Sequence, residues 1–223
     1  NDGGIYRADD VYTVAGTSGW TELNNNLGIT QFYGAAGNPT TGDIIGGTQD
    51  NGTLMYGYGS ESYDKNTEAW FELVSGDGGF SASDVSDSTY YYGEYIYLQL
   101  YRIHVLADGS GSATSIHSGI SDAGNEDDAN FIAPFILDPN DSSRLLAGGK
   151  SLWRTNDAKA TTPIWTAIKP SVGSNISAIA VAPGDSNTIW VGHNNGNVYK
   201  TTNGGSLWTR VDNVASGLPN GYV

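Results

Sequence analysis

A repeat of about fifty residues constrains this chain more than any other feature. An apolar residue, a large one and usually a base recur as Ile5-Tyr6-Arg7, Leu54-Met55-Tyr56, Leu100-Tyr101-Arg102, Leu152-Trp153-Arg154 and Val198-Tyr199-Lys200, with third positions 46 to 52 residues apart. A second series keeps the same interval: GNPTTGDII from residue 37, SDVSDSTYY from 83, LDPNDSSRLL from 137 and APGDSNTIW from 182. Each joins two apolar runs through Pro, Asp, Asn and Ser, which favour turns by presetting φ or by bonding to their own backbone. Trp20, Trp70, Trp165 and Trp208 form a third series. A regular period of this length means stacked supersecondary units.

The cleanest copy resolves into four strands: Ser177 to Ala182, Ile189 to Gly192, Asn197 to Thr201 and Trp208 to Val211, separated by PGDSNT, HNNG and TNGGS. Four short antiparallel strands per unit predict an all-β fold, a β-propeller with four-stranded blades. A two-sheet sandwich would not return the same turn chemistry at one place in every unit. Composition agrees, since 31 glycines and 14 tyrosines among 223 residues suit tight turns and pleated surfaces.

The expected organisation is a single propeller region over 1–223 with about four to five blade units. A partial blade covers 1–27, blades cover about 32–74, 76–118, 131–168 and 176–211, and a further blade starts at 217–223. The ring is expected to be partial or irregularly closed, with self-association through open blade edges as one consequence.

Charge and composition exclude several classes of function. With 24 acidic against 10 basic residues the net charge is −14, and no Lys/Arg cluster offsets it. Such a surface repels phosphate backbones, so nucleic acid is excluded as a partner. Cysteine is absent, which rules out disulfides and thiolate metal sites. No apolar run approaches the roughly 18 residues of a membrane span. The chain begins at Asn1 rather than methionine, so removal of an upstream segment is an expectation.

The stretch TTNGGSLW at 201–208 resembles the Asp-box of sialidase-like and sortilin-like propellers, with Thr201, Gly205 and Trp208 in place, Asn203 at the aspartate position and Leu207 at a hydroxyl position. Thr155 to Trp165 keeps Asp157 but lacks the glycine and carries an insertion. Together with GTQDNGT and GDGGF, these segments look like BNR-repeat, glycosyl-hydrolase-like propellers of secreted bacterial proteins, a group related to the xyloglucanases of glycoside hydrolase family 74. The resemblance implies an extracellular or cell-surface bacterial location and carbohydrate or protein ligands. It makes Thr201, Asn203, Gly205 and Trp208 a structural turn away from the active face.

Propeller topology puts the turns between second and third strands, and the links between blades, on one face. Asp50 and Asp77 fall there. Glycoside hydrolysis takes two carboxylates at about 5 to 9.5 Å, which makes this pair the candidate acid and base, while their Gly-rich turns equally suit backbone bonding. Gln49, His193 and Asn194 are candidate ligand contacts on the same face. Tyr92 and Tyr95, in the patch from Tyr90 to Tyr97, either stack on sugars or fill the space between blades. Asp122, Glu126, Asp127 and Asp128 form an acidic link that is either solvated or a calcium site; no other cofactor is expected. His104 and His117 read as structural. Arg7, Arg102 and Arg154 repeat at one strand position, which argues against the converging arginines of a sialidase. No Ser, His and Asp arrangement suggests a protease. Two functions stand side by side: a non-catalytic module for protein or carbohydrate interaction, or part of an endo-acting hydrolase of β-glucan or xyloglucan.

Overall fold

A computed structural model describes residues 5–25, 29–57, 70–106 and 111–212. All regular structure among them is β, and no helix is long and apolar enough to cross a membrane. The expected start of a further blade at 217–223 lies outside the described residues.

The chain divides into two compact units, residues 1–31 and 32–223. In the first, β1 (Tyr6–Arg7) pairs antiparallel with β2 (Thr21–Glu22). The Ile5 amide donates to Asn24 Oδ1 at 2.7 Å, and Trp20 Nε1 donates to the Ala15 carbonyl at 3.1 Å.

The second unit is a four-bladed β-propeller, its antiparallel four-stranded sheets following one another around a ring. Blade one contains β3 (Phe32–Gly37), β4 (Ile44–Thr48), β5 (Gly52–Tyr56) and β6 (Trp70–Val74). Blade two contains β7 (Ser81–Ser83), β8 (Tyr90–Glu94), β9 (Leu100–Val105) and β10 (Gly111–Ser115). Blade three contains β11 (Phe135–Leu137), β12 (Leu145–Gly148), β13 (Leu152–Thr155) and β14 (Thr166–Lys169). Blade four contains β15 (Ile176–Ala182), β16 (Asp185–His193), β17 (Val198–Thr201) and β18 (Thr209–Arg210). The second strand of blade four therefore begins earlier than the turn residues suggest, because Asp185 already pairs with Ala182.

The core lies in the joints between blades. Ile45 and Met55 of blade one meet Tyr91 and Ile103 of blade two. Tyr92, Leu98 and Leu100 meet Leu145, Ala147 and Trp165 of blade three. Leu146 and Leu152 meet Ile189 and Val191 of blade four. Alternation along each strand explains this: successive side chains point to opposite faces, so Leu145 turns back to blade two while Leu146 turns forward to blade four. Each fully buried aliphatic side chain contributes about 1.5–3 kcal/mol.

Polar latches repeat at the same joints. Arg154 Nη1 donates to the Gly204 carbonyl of the next blade at 2.9 Å, and Arg102 Nη1 donates to the Ala160 carbonyl of its next blade. In the reverse direction, Trp165 Nε1 donates to Ile116 O at 2.7 Å and Trp208 Nε1 to Ile168 O at 2.8 Å. The recurrent arginine and tryptophan thus act as reciprocal clamps across joints. Blade one departs from the pattern by one residue. Met55, rather than Tyr56, takes the forward-facing place of Arg154, because Ile45 pairs with Met55 as Leu146 pairs with Arg154.

Candidate functional site

The turn between β4 and β5 is built by backbone geometry. Asp50 has φ 60° and Gly52 φ 78°, while Thr48 Oγ1 donates to the Gly52 carbonyl at 2.7 Å. The link after β6 closes over this turn: the Gly78 amide donates to Thr48 O at 2.8 Å, and Gly47 approaches so near the Gly79 carbonyl that a Cβ there would collide with it. This closure brings Asp50 and Asp77 together. Asp77 Oδ1 accepts the Asp50 amide at 3.0 Å, so its carboxylate braces the turn. Asp50 and Asn51 are exposed; Gln49 is half-buried, and its carbonyl accepts from Asn51 Nδ2 at 2.9 Å.

Beside it lies a tighter construction that sequence reasoning missed. Glu94, at the end of β8, is wholly buried. Its Oε1 accepts the amides of Ala133 at 2.7 Å and Leu98 at 3.1 Å, and its Oε2 accepts that of Phe80 at 3.3 Å. One carboxyl thereby joins the approach to β7, its own turn and the approach to β11. Burial pushes its pKa well above the usual carboxylate range, against the pull of those three donors. The turn it holds is strained, with Tyr97 at φ 54° and Leu98 at φ 62°, conformations that non-glycine residues keep only when their surroundings impose them. The only sequence signal for Glu94 was its place after Gly93 at the end of a second strand.

The tyrosines separate by face. Tyr91 is buried against blade one and Tyr92, 1% exposed, against blade three. Tyr92 therefore fills the space between blades instead of offering a ring to solvent. Tyr95 is half-buried beside Gly76. Tyr97 packs edge-on to Phe131 with ring centroids 5.5 Å apart, and Phe131 is exposed.

The acidic link is tied down at Asp122 and at Asp128. Asp122 is buried, and its Oδ2 accepts from the Ser151 amide at 2.8 Å and Trp153 Nε1 at 3.0 Å. Asp128 pairs with Lys150 and accepts from Asn125 Nδ2 at 2.6 Å, an ion pair that raises the lysine's pKa. Glu126 and Asp127 face solvent. Among the described residues, no group of three or more His, Cys, Asp or Glu side chains is placed to hold a metal ion. Asn194 exchanges two amide bonds with Asn130, at 3.1 and 2.7 Å.

His193 lies at the end of β16, fully buried. Its Nδ1 lies 2.9 Å from the Ser174 carbonyl, which assigns the proton to Nδ1 and leaves Nε2 as acceptor. Lys169 Nζ, also buried, donates to that Nε2 at 3.0 Å and lies 4.2 Å from the centre of the Tyr199 ring. Burial pushes the lysine down to about 8 and, with the adjacent amine, depresses the histidine as well. This pair is internal to the joint between blades three and four, so His193 is not a surface contact.

The turn after β17 is also resolved. Asn203 Oδ1 accepts from Thr201 Oγ1 and the Leu207 amide, both at 2.9 Å, and Gly205 N donates to Thr201 Oγ1 at 3.2 Å. In blade three, Asp157 Oδ1 likewise accepts from Thr155 Oγ1 and, at 3.1 Å, the Ile164 amide. Both turns lie on the face opposite the Asp50 turn and serve the latches.

No family model matches the chain, and no curated protein sequence matches it. Solved structures do. A GH74 enzyme of Niastella koreensis aligns with a TM-score of 0.55 at 20% identity, over 82% of this chain and 30% of the enzyme. The β-propeller domain of Cps50 (Swd1) from Myceliophteria thermophila aligns with a TM-score of 0.52 at 8% identity, over 76% of this chain and 51% of that one. These likenesses establish the propeller fold. The chain thus spans less than a third of the enzyme and about half of the other domain.

Proposed function

We propose that this chain is a non-catalytic propeller module of a secreted or cell-surface bacterial protein, offering its loop face to a carbohydrate or protein ligand. One observation carries the reading: Asp77, one of the two carboxylates expected for hydrolysis, and the loop-face carboxylates of Glu94, Asp122 and Asp128 stand in structural roles, which leaves the exposed Asp50 without a free carboxylate partner in Asp77. Asp77 braces the Asp50 amide, Glu94 gathers three amides, Asp122 holds Ser151 and Trp153, and Asp128 pairs with Lys150. A general acid or base must exchange a proton with substrate, and a carboxylate serving as a turn's acceptor is poorly placed to do so. The Thr201–Trp208 and Thr155–Trp165 turns support kinship with Asp-box propellers through their shared hydrogen-bond pattern.

What this face presents to a ligand is Gln49, Asp50, Asn51, Tyr95 and Phe131, a mixture of amide, carboxylate and ring suited to sugars or a polypeptide. The test pairs an array of β-glucan and xyloglucan oligosaccharides with a reducing-sugar assay on tamarind xyloglucan. The expected result is glycan retention that Tyr95→Ala and Phe131→Ala weaken, with no release of reducing ends. Release that disappears in Asp50→Asn or Asp77→Asn would establish the hydrolase instead.

A further inference from the structure

The joint between blades one and two differs in composition from the two joints that follow it. On the face of blade two that meets blade one, Ser81 pairs with Gly93 as Phe135 pairs with Ala147 and Ile179 with Val191 in the later blades. Ser83 pairs with Tyr91 as Leu137 pairs with Leu145 and Val181 with Ile189. From the other side, Thr53 pairs with Gly47 as Leu100 pairs with Glu94 and Leu152 with Gly148. Thr53 is wholly buried and lies so near Gly93 that a Cβ there would meet it at 3.1 Å. Three positions that are apolar at the later joints thus carry hydroxyls at the first. Thr53 Oγ1, Ser81 Oγ and Ser83 Oγ are all withdrawn from solvent, and among the described residues none has a hydrogen-bond partner.

The clamps of the later joints are also missing here. Met55 stands where Arg154 reaches for the next blade, and blade two contains no tryptophan to reach back as Trp165 and Trp208 do. Lys159 ties blade three to Asp84 and Asp87 of blade two, whereas no ion pair among the described residues crosses from blade one to blade two. The apolar cluster at the first joint has four buried residues, against twelve and six at the next two. Unpaired buried atoms do occur at Tyr92, Arg102, Arg154 and Ser177, but each arginine clamps the following blade through its other nitrogen. What crosses the first joint is Tyr91 Oη donating to Asp43 at 2.9 Å, Asn38 Nδ2 donating to Asp84 O at 3.3 Å, and the bonds that the Asp77 link makes to the Asp50 turn.

We propose that the propeller opens at the joint between blades one and two, while blades two, three and four stay docked on one another. Opening returns three unpaired hydroxyls to water and gives up the smallest of the three apolar clusters, so it is the cheapest separation the four blades allow. Because the Asp50 turn meets Asp77 across this joint, opening also reshapes the loop face.

The test is the rate at which a buried thiol is labelled by an aromatic disulfide in the native full chain. The sequence contains no cysteine, so each introduced thiol is unique. Ile45→Cys reports the first joint, Leu145→Cys the second and Leu146→Cys the third; all three side chains are 0% exposed. Ile45→Cys is expected to be labelled at least about tenfold faster than the other two. Adding Thr53→Val or, separately, Ser83→Ala to Ile45→Cys is expected to slow that labelling about tenfold, because each removes a buried unpaired hydroxyl. Far-UV circular dichroism confirms that each variant is folded, and Met55→Cys serves as a second reporter should Ile45→Cys fail to fold. Equal rates at the three joints would mean that the blades part only on global unfolding and would overturn the proposal. So would faster labelling at a later joint, or hydroxyl removal that leaves the first joint's rate unchanged or raises it.

Discussion

Replacing Lys169 by methionine removes a charge that the joint between blades three and four does not accommodate. Lys169 is 2% exposed, its one hydrogen-bond partner among the described residues is the neutral His193, and burial lowers its pKa from 10.5 to about 8. At about 1.36 kcal/mol per unit, keeping the proton in the folded state costs about 3 kcal/mol. The folded pKa is depressed, so below about pH 8 both states are protonated and the full cost applies, while above about 10.5 both are neutral and it vanishes. Between these limits the unfolded chain binds more protons and stability rises with pH. Lys169→Met should abolish that rise. At pH 7 the variant escapes the charge cost but forfeits the bond to His193, about 1 kcal/mol, and the contact with Tyr199, about 1 kcal/mol. A net gain of about 1 kcal/mol follows. Urea unfolding of both proteins at intervals from pH 6 to 10.5 measures it. Tyr91, pushed up to about 12 by burial, affects both proteins alike and cancels in the difference. Parallel stability profiles for the two proteins, or a wild type insensitive to pH from 8 to 10, would refute the reasoning.

Glu94→Gln should cost about 1–2 kcal/mol, since its amide keeps two of the three backbone donors and sets an N–H against the Phe80 amide; Glu94→Ala should cost at least about 4 kcal/mol by orphaning all three. Chemical denaturation reads both, and an alanine variant as stable as wild type would deny Glu94 its bracing role. Trp208→Phe keeps most of the packing but removes the donor to Ile168 O, so a loss of about 1 kcal/mol is expected by the same measurement.

The blades were legible because their signals are local and repeated. Pro, Asp and Asn turns recur at one interval, and the third-strand triads mark strands that Leu152–Thr155 and Val198–Thr201 fulfil. The one-residue offset of Met55 was not legible, because a triad ending in tyrosine instead of a base resembles its relatives whichever way it faces. Asp50 and Asp77 meet in the structure, yet nothing in their spacing says that one accepts the other's amide.

Sequence by itself therefore determined the repeating unit, the all-β class and the residues that form the turns, since each depends on neighbours within a few positions. Tertiary structure alone decided which side chains are withdrawn from solvent. Tyr92 and Tyr95 stand three residues apart, but one points into a joint and the other lies half-open on the loop face. Glu94, Lys169 and His193 acquire their properties from partners as far as 39 residues away, across blade boundaries. Ionisation and burial depend on the full surroundings of a group in space, and a repeat read along the chain contains no measure of that environment.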